Sequence, residues 1–258
     1  MAKQPKHILS DAEKADNVIS LRALIEGKST FKRFDVWIVG DTPLITHSWS
    51  EKARLDMLRK QVKAVKAAGR QARDPEEDFQ NSLYEIRDGV YAFPTTAAKL
   101  ALMSAAHVDK GISKAAILSN VWLDTSMYRV RPALASAVCD MPLTRIYGAK
   151  PEMREDMVRV GVGLNKTSTL AYRAQFFPWA ARITGRFNPT QVPPESLAFL
   201  FDEAGRACGL CDWRNEKRGV FGSFHLSTAE EEDAWTKFSK GEGPMPMPET
   251  MMLLEAAE

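Results

Sequence analysis

Apolar and polar positions alternate at residues 34–40, Phe-Asp-Val-Trp-Ile-Val-Gly, until Gly-Asp-Thr-Pro breaks the alternation. This pattern predicts a strand followed by a turn. A second strand-rich stretch covers residues 170–188 and is interrupted or bulged at Pro178, because proline donates no backbone hydrogen bond to a sheet. Residues 83–93 predict a short hairpin about Asp88-Gly89, a residue pair that favours tight turns.

Helical patterns separate these strands. Residues 94–106 open with proline and are rich in small residues, and residues 193–205 open with proline and end at glycine. A third helix is predicted at residues 50–72, which consist of good helix formers without proline. A further short helix is predicted at residues 111–122. Strand-like pieces occupy residues 128–164, and one more strand is predicted at residues 220–226.

This order of elements predicts an α+β protein. Its finer prediction is a ferredoxin-like (RRM-like) β-α-β-β-α-β core, in which the helices cover one face of an antiparallel sheet. The helix at 50–72 is then a basic helical insertion, and the arginine-rich strands form a β-rich insertion. We expect an N-terminal arm at residues 1–33, one domain at residues 34–226 and a flexible acidic tail at residues 227–258.

Six basic residues share one face of the helix predicted at 50–72. Spacings of three and four separate five of them, and the sixth lies one heptad earlier. Like charges stacked in this way repel each other by a few tenths of a kcal/mol per pair, a cost that a bound polyanion removes. We therefore predict contact with phosphates, with a solvated face as the alternative. The six residues are Lys52, Arg59, Lys63, Lys66, Arg70 and Arg73.

Residues 205–224 combine four glycines with aromatic and cationic side chains. Glycines permit close backbone approach and positive φ, and rings among cations suit a ligand that carries phosphates and bases. A mobile loop with solvated charges is the alternative. The predicted contacts in this loop are Trp213, Arg214, Lys217, Arg218 and Phe221. Further predicted contacts are Arg145, Arg154 and Arg159 for phosphates and Trp49 for a base.

The net charge of +2 conceals an asymmetry. Residues 227–258 hold eight acidic and two basic residues, a charge of −6, so the rest of the chain carries +8. A basic body indicates a polyanionic partner. The acidic tail is interpreted as an arm that competes with this partner or recruits other proteins, and a solubilising terminus is the alternative.

Composition favours a cytoplasmic location. No apolar run approaches the roughly 20 residues of a membrane span, and the first residues lack the apolar stretch of a secretory signal. Three cysteines are too few for a disulfide framework. Cys208 and Cys211 form a C-x-x-C pair without a second ligand pair, so we expect packed thiols, with a zinc site involving His225 as the alternative.

The motifs of common enzymes are absent. The chain contains no G-x-x-x-x-G-K-[ST], no G-x-S-x-G and no H-E-x-x-H. The acidic run at residues 74–78 has no nucleophile or additional metal ligand near it in the sequence. We therefore expect no catalysis, no metal and no cofactor. A metal-dependent nuclease that uses Asp78, His47 or His107 is the alternative.

Two segments resemble proteins of the RAMP superfamily. Residues 91–101, Tyr-Ala-Phe-Pro-Thr-Thr-Ala-Ala-Lys-Leu-Ala, resemble their strand-to-helix segment, and residues 204–224 resemble their C-terminal glycine-rich loop and strand. The superfamily includes the RNA-binding backbone subunits of CRISPR effector complexes, which line up along a strand. The chain also looks like a group of bacteriophage proteins, through Gly-Asp-Thr-Pro-Leu at 40–44, the lysine-rich helix, Arg-Glu-Asp-Met-Val-Arg-Val-Gly at 154–161 and Cys-Asp-Trp-Arg-Asn-Glu-Lys at 211–217. If a phage encodes the chain, the expected cytoplasm is that of the host cell. The cysteines at 208 and 211 depart from the loop pattern, and no CRISPR-type processing residue carries over.

The resemblance implies strand binding through the basic helix and the glycine-rich loop by a multimer, and it does not imply catalysis. Our first expectation is a non-enzymatic, largely sequence-independent single-stranded nucleic-acid-binding protein, with DNA favoured, in phage replication or recombination. The expected partners are single-stranded DNA or RNA, further copies of the chain, and a replication or recombination protein bound through the tail. An RNA-binding subunit of a CRISPR-like complex is the second hypothesis. A structural virion protein is a further one.

Overall fold

A computed structural model describes residues 31–48, 74–87, 89–106, 112–129, 140–160 and 167–248. The predicted basic helix at 50–72, together with Trp49 and Arg73, lies outside these residues. Nearly all of the predicted N-terminal arm and the last ten residues also lie outside them. The predictions made for these segments therefore stay predictions.

The described residues form twelve strands and five α-helices, and the protein is of the α+β class. The strands are β1 Lys32–Gly40, β2 Leu44–Thr46, β3 Glu85–Arg87, β4 Val90–Pro94, β5 Val121–Leu123, β6 Ser126–Arg129, β7 Asp140–Arg145, β8 Tyr147–Gly148, β9 Glu152–Val160, β10 Thr167–Phe176, β11 Trp179–Phe187 and β12 Phe224–Leu226. The helices are α1 Pro75–Ser82, α2 Thr95–Ala105, α3 Lys114–Asn120, α4 Pro194–Glu203 and α5 Ala229–Lys240. None of the described helices is long and apolar enough to cross a bilayer.

The main sheet has the order β12-β1-β11-β5, and its neighbouring strands are antiparallel. β1 and β11 pair along almost their whole length, with Val36 opposite Ile183. Ile38 and Ala181 project from one face of this sheet into the main hydrophobic core, where α2 and α4 also contribute buried residues. Alternation along β1 thus directs every second side chain into the core, as its sequence predicts.

Two smaller sheets flank the main one. In the first, β9 and β10 form a long antiparallel hairpin, and β2 pairs with the other edge of β10. The second has the strand order β3-β4-β7-β6. The predicted hairpin at 83–93 is confirmed as β3 and β4, with Gly89 at a φ of +71° in its turn. The predicted strand break at Pro178 is also confirmed, since it lies between β10 and β11.

Three element boundaries differ from the sequence predictions. The helix expected near residues 111–122 is the shorter α3, because Val121–Leu123 pairs with β11 as a strand. The strand expected at 220–226 comprises only Phe224–Leu226, and the residues before it belong to the loop. The helix predicted at residues 193–205 is longer than expected. After α4 it continues through Ala204–Cys208, which form a wider π-type turn.

Gly205 lies within this wider turn. A Cβ atom on it would approach the carbonyl oxygen of Phe224 to 1.8 Å, so only glycine fits at this contact between the turn and β12. The close approach fixes the start of the glycine-rich loop against the main sheet.

The flexible tail predicted at 227–258 is wrong for its first part, because residues 229–240 form α5. Thr228 caps this helix through a reciprocal pair of hydrogen bonds with Glu231, and Gly241 ends it at a φ of +76°. Trp235 of α5 is 1% exposed and packs with Trp37 on the face of the main sheet opposite α2 and α4. Helices therefore cover parts of both faces, whereas the predicted core leaves one face open.

His225 of β12 joins α5 to the turn after β1. Its Nδ1 lies 2.6 Å from Asp41 Oδ1, and its Nε2 lies 3.1 Å from Glu231 Oε1. The hydrogen bond with Asp41 raises the pKa of His225 to about 9, and Glu231 acts in the same direction. A protonated imidazole therefore links two carboxylates across the junction.

Candidate nucleic-acid interface

The glycine-rich loop, residues 205–224, contains all three described non-glycine residues with left-handed backbone conformations. The φ angles are +61° at Cys211, +55° at Trp213 and +65° at Arg218. Such a conformation costs an L-residue about 1–2 kcal/mol and persists where the surroundings enforce it, which occurs often at binding sites. This cluster of strained residues distinguishes the loop from the other described turns.

Backbone hydrogen bonds enforce this conformation. The amide of Leu210 donates to the carbonyl of Gly222 (2.9 Å), and the amide of Gly222 donates to that of Pro43 (2.8 Å). The amide of Phe221 donates to the carbonyl of Trp213 (3.1 Å), which closes the tip. The loop is thus an ordered structure attached to the turn before β2, not a freely solvated one.

Two arginine side chains of the β9–β10 hairpin stack on the two aromatic rings of the loop. The guanidinium carbon of Arg173 lies 5.7 Å from the centre of the Trp213 ring, and that of Arg154 lies 4.5 Å from the centre of the Phe221 ring. Arg154 and Arg173 are directly opposite each other in the strand pairing, so both project from the same face. The loop therefore docks on this face through two cation–π contacts.

Carboxylates compensate the paired arginines. The carboxylate of Asp212 lies 3.2 Å from Nε of Arg173 and 3.2 Å from Nδ1 of His47. Burial would raise the pKa of Asp212, but the hydrogen bond from His47 and the charge of Arg173 bring it below its usual value. Arg154 donates from Nε to Asp156 (2.9 Å). The docking face thus retains little net positive charge.

Arg173 is not fully satisfied. Its Nη1 is buried and has no hydrogen-bond partner among the described residues, although its Nε reaches Asp212. A buried guanidinium nitrogen without an acceptor is unusual, because desolvation of such a group costs free energy unless an acceptor is supplied. Nη1 of Arg173 is therefore a buried donor without an acceptor among the described residues, next to the ring of Trp213.

Arg214, predicted to bind phosphate, is engaged within the protein. It donates from Nε and Nη2 to the carboxylate of Glu216 (3.0 and 2.8 Å) and from Nη1 to the carbonyl of Cys211 (3.0 Å). Glu216 also accepts a hydrogen bond from Ser104 of α2 (2.9 Å). Arg214 thus ties the loop to itself, and a phosphate would have to compete with Glu216.

Four other predicted cations within the described residues are accessible. Lys217 and Arg218 are exposed at the tip of the loop, and neither forms an ion pair within the part of the chain that is described. Arg159 is exposed five residues beyond Arg154 in β9, about 17 Å along the strand. Arg145 belongs to β7 in another sheet, where its guanidinium covers the ring of Tyr147 at 4.5 Å. The predicted contacts therefore divide between a loop cluster and two outlying arginines.

The two cysteines of the loop are free thiols. Burial raises the pKa of both, and that of Cys211 reaches about 12. They are consequently neutral and poor nucleophiles at ordinary pH. The described residues contain no group of three or more histidine, cysteine, aspartate or glutamate side chains arranged to hold a metal ion.

Both ends of the undescribed basic segment, residues 49–73, are fixed beside this site. The amide of Ser48 donates to the carbonyl of Ser82 (2.9 Å), and Asp74 caps α1 by accepting from the amide of Glu76 (3.0 Å). α1 packs on β10, where the amide of Ala174 donates to Oγ of Ser82 (2.8 Å). The segment therefore leaves and rejoins the fold next to the hairpin that carries Arg173.

Two participants were not predicted. Asp212 lies at the centre of the contact between loop and hairpin, where it pairs with Arg173, and Tyr84 supports the contact by donating to the carbonyl of His47 (3.2 Å). Burial raises the pKa of Tyr84 to about 12, so its hydroxyl stays a donor. Alternation in β10 predicts which residues of this strand share a face with Arg173. The residue that lies opposite Arg173 on β9 depends on the register between the two strands, which alternation does not determine.

No protein-family model matches this chain, and a search of curated proteins finds no significant match. The function is therefore inferred from the geometry of the site.

Proposed function

We propose that the protein binds single-stranded nucleic acid without catalysis and largely without regard to sequence. DNA is the favoured ligand, in phage replication or recombination, and several copies bind along one strand. The observation that carries this proposal is the loop of residues 205–224, which holds two aromatic rings and two exposed cations in an enforced, strained conformation. Rings that stack on bases and cations that contact phosphates are the two components of single-strand binding.

We further propose that the core is ferredoxin-like and that the chain is a RAMP-like protein. The chain between β1 and β5 contains α2 and α3, preceded by β2, α1, β3 and β4, and β11 separates the two strands in the sheet. β11 and β12 are connected through α4 and are separated by β1. Two interleaved β-α-β units of this kind make up the β-α-β-β-α-β plan, which supports the proposal.

Stacking would use the rings of Trp213 and Phe221. Both residues are half-buried, so part of each ring remains accessible to a base while an arginine covers another part. Lys217 and Arg218 extend the positive charge from the rings to the tip of the loop.

The six cations at 52–73 would provide the remaining phosphate contacts. The fixed ends of this segment, Ser48 and Asp74, keep it close to the loop. Neutralising phosphates releases counterions, so the affinity should fall steeply with salt.

The test measures fluorescence anisotropy of labelled single-stranded DNA, the matching RNA and duplex DNA, each titrated in salt. We expect single-stranded DNA to bind most tightly. The variant Lys63→Glu/Lys66→Glu should weaken binding and flatten the salt dependence by at least about 1 in slope, because each phosphate contact on a single strand contributes about 0.7. Lys150→Glu/Lys240→Glu, which changes two exposed lysines elsewhere, is the charge-matched control.

Other outcomes would replace the proposal. Preference for RNA, together with RNA that co-purifies, would favour a subunit of a CRISPR-like complex. Shortening of the labelled strand in the presence of Mg²⁺ would establish a nuclease. Absence of binding to every strand at low salt would overturn strand binding and favour a structural role.

A further inference from the structure

β9 is the outer strand of the small sheet with the order β2-β10-β9, and its free edge is long. It pairs with β10 from Glu152 to Val160 without a register shift, so the edge contains neither a bulge nor a proline. None of the described residues pairs with its other side. Such an edge can accept another strand, and proteins usually protect it with a bulge, a proline, a cover or repelling charges.

One face of the hairpin beside this edge is exposed and partly apolar. Met153 and Met157 of β9 are 49% and 65% exposed, and Leu170 of β10 is 43% exposed. Met157 and Leu170 are directly opposite each other in the strand pairing, so their side chains form one apolar patch. Arg154 and the glycine-rich loop lie on the other face, because successive residues of a strand project in opposite directions. The patch is therefore separate from the candidate nucleic-acid interface.

Two charged residues flank Met157 on the same face as the patch. Glu155 precedes it by two residues, Arg159 follows it by two, and both are exposed. They are about 13 Å apart along the strand, too far for an ion pair with each other. Neither forms an ion pair with another described residue. The order of acid, apolar residue and base is self-complementary, because an antiparallel strand of the same sequence presents base, apolar residue and acid.

We propose that β9 pairs in the antiparallel direction with β9 of a second copy, centred on Met157. A two-fold axis perpendicular to the sheet then places Met157 opposite its counterpart, and it places Glu155 of each copy opposite Arg159 of the other. Opposite charges at directly opposite positions stabilise a pair of strands. The contact also covers part of the exposed side chain of Met157 and joins the apolar patches of the two copies.

The charges of β9 favour this register over the other symmetric ones. A centre at any of the charged positions 154–156 or 159 would place that charge opposite the same charge, which destabilises the pairing. A centre at Val158 brings no opposite charges together. A centre at Met153 leaves only the first three residues of β9 to pair, because the strand begins at position 152. The register centred on Met157 joins opposite charges without a like pair and uses most of the strand.

The pairing makes one sheet of six strands from the three-stranded sheets of two copies. Because the axis is perpendicular to this sheet, both glycine-rich loops lie on the same face of it. Arg154 of one copy and Arg154 of the other are about 20 Å apart along the strands. The contact requires no nucleic acid, so the inference goes beyond the proposed function.

The test measures the mass of the full chain by sedimentation over a range of concentrations, without nucleic acid. The unaltered protein should change from monomer to dimer as the concentration rises. Glu155→Arg and Arg159→Glu each put like charges at both symmetric positions, so each should raise the dissociation constant of the dimer at least about tenfold. The two substitutions combined restore opposite charges and should restore the dimer. Glu152→Arg, at the start of β9 and outside the paired positions, is the charge-matched control.

An equimolar mixture of the two single variants provides a second measurement. In a mixed dimer the two positive positions of one variant lie opposite the two negative positions of the other. The mixture should therefore dimerise, although each variant alone stays monomeric at the same concentration. Misfolded protein would not recover in this way, so the mixture separates a lost contact from a lost fold.

Each result decides the proposal, and strand binding is tested separately. An unaltered protein that stays monomeric would overturn it, as would a mixture of the single variants that stays monomeric. A dimer that persists in both single variants would place the contact elsewhere, and an equal loss in Glu152→Arg would indicate general repulsion instead of this register. Nucleic-acid affinity is not part of this readout, so failure here leaves the proposed function intact.

Discussion

Arg154 and Arg173 lie opposite each other on β9 and β10, and each guanidinium covers one aromatic ring of the glycine-rich loop. Two like charges at directly opposite positions of a sheet destabilise it. The carboxylates of Asp156 and Asp212 offset this repulsion. The sheet thus contains an unfavourable pair of like charges, and these two arginines position Trp213 and Phe221 at its surface.

The first prediction concerns the ring of Trp213. Replacing Trp213 by alanine should weaken binding of single-stranded DNA roughly 5- to 150-fold, because stacking of one base contributes about 1–3 kcal/mol. Anisotropy measures the affinity, and Trp122→Ala, at an exposed tryptophan of the main sheet, is the control. A lower Tm with unchanged affinity of the folded protein would show that the ring serves only to dock the loop.

The second prediction separates charge from backbone strain at Arg218. Arg218→Gly removes a cation and the cost of about 1–2 kcal/mol that a non-glycine residue incurs at its φ of +65°. We expect an unchanged or higher Tm together with weaker binding at every sequence and a less steep salt dependence. Gly219→Ala is the opposite case, since its Cβ would lie 1.6 Å from the carbonyl oxygen of Trp213 and should destabilise the loop. Equal affinity of Arg218→Gly and the unaltered protein would exclude Arg218 from the interface.

The third prediction tests the contact at Gly205. Gly205→Ala should lower the free energy of unfolding by about 1–3 kcal/mol, since its Cβ would clash with backbone atoms of Phe224. Urea denaturation measures the change. Gly243→Ala should have little effect, as its nearest atom, Cβ of Lys237, lies 3.4 Å away. Similar losses in the two variants would mean that backbone entropy, not the close contact, determines the effect.

The fourth prediction is a pH dependence at His225. The pKa of His225 in the folded protein is about 9, above its ordinary value of 6.5. A raised pKa means that the folded state binds the proton more tightly, so the stabilisation is complete below about pH 6.5 and is lost as the pH rises through about 9. The Tm should therefore fall more steeply between pH 6.5 and 9.5 in the unaltered protein than in His225→Gln. The cysteine thiols titrate in both proteins, so the difference between the two curves of Tm against pH reports His225 alone. Parallel curves would refute a charged role for His225.

The sequence predicts most of the main sheet because its signals are local. Alternation marks β1, and proline and small residues mark α2. The helix α5 was missed because its four consecutive acids dominate the composition of the tail, although Thr228 and Glu231 have the spacing of a capping box and Gly241 is a typical helix end. In that segment the burial of one residue, Trp235, outweighs the polar composition.

The site was less predictable than the fold, since its contacts join distant parts of the chain. Trp213 and Phe221 were identified from their own loop, but Arg173 depends on a strand register that no local pattern determines. Arg214 was predicted to contact phosphate, yet Glu216 two residues later accepts its hydrogen bonds. A nearby acid in the sequence is therefore a useful signal that a loop arginine is already engaged.

The anchoring of Ser48 and Asp74 beside β10 determines how the basic segment acts. Its 25 residues are tethered at both ends, so its six cations remain within a few nanometres of the loop in any conformation. Tethers of this kind give effective concentrations of the order of millimolar. A strand held at Trp213 would thus meet the second set of charges by an intramolecular step, and the two weak contacts would combine into one tighter site.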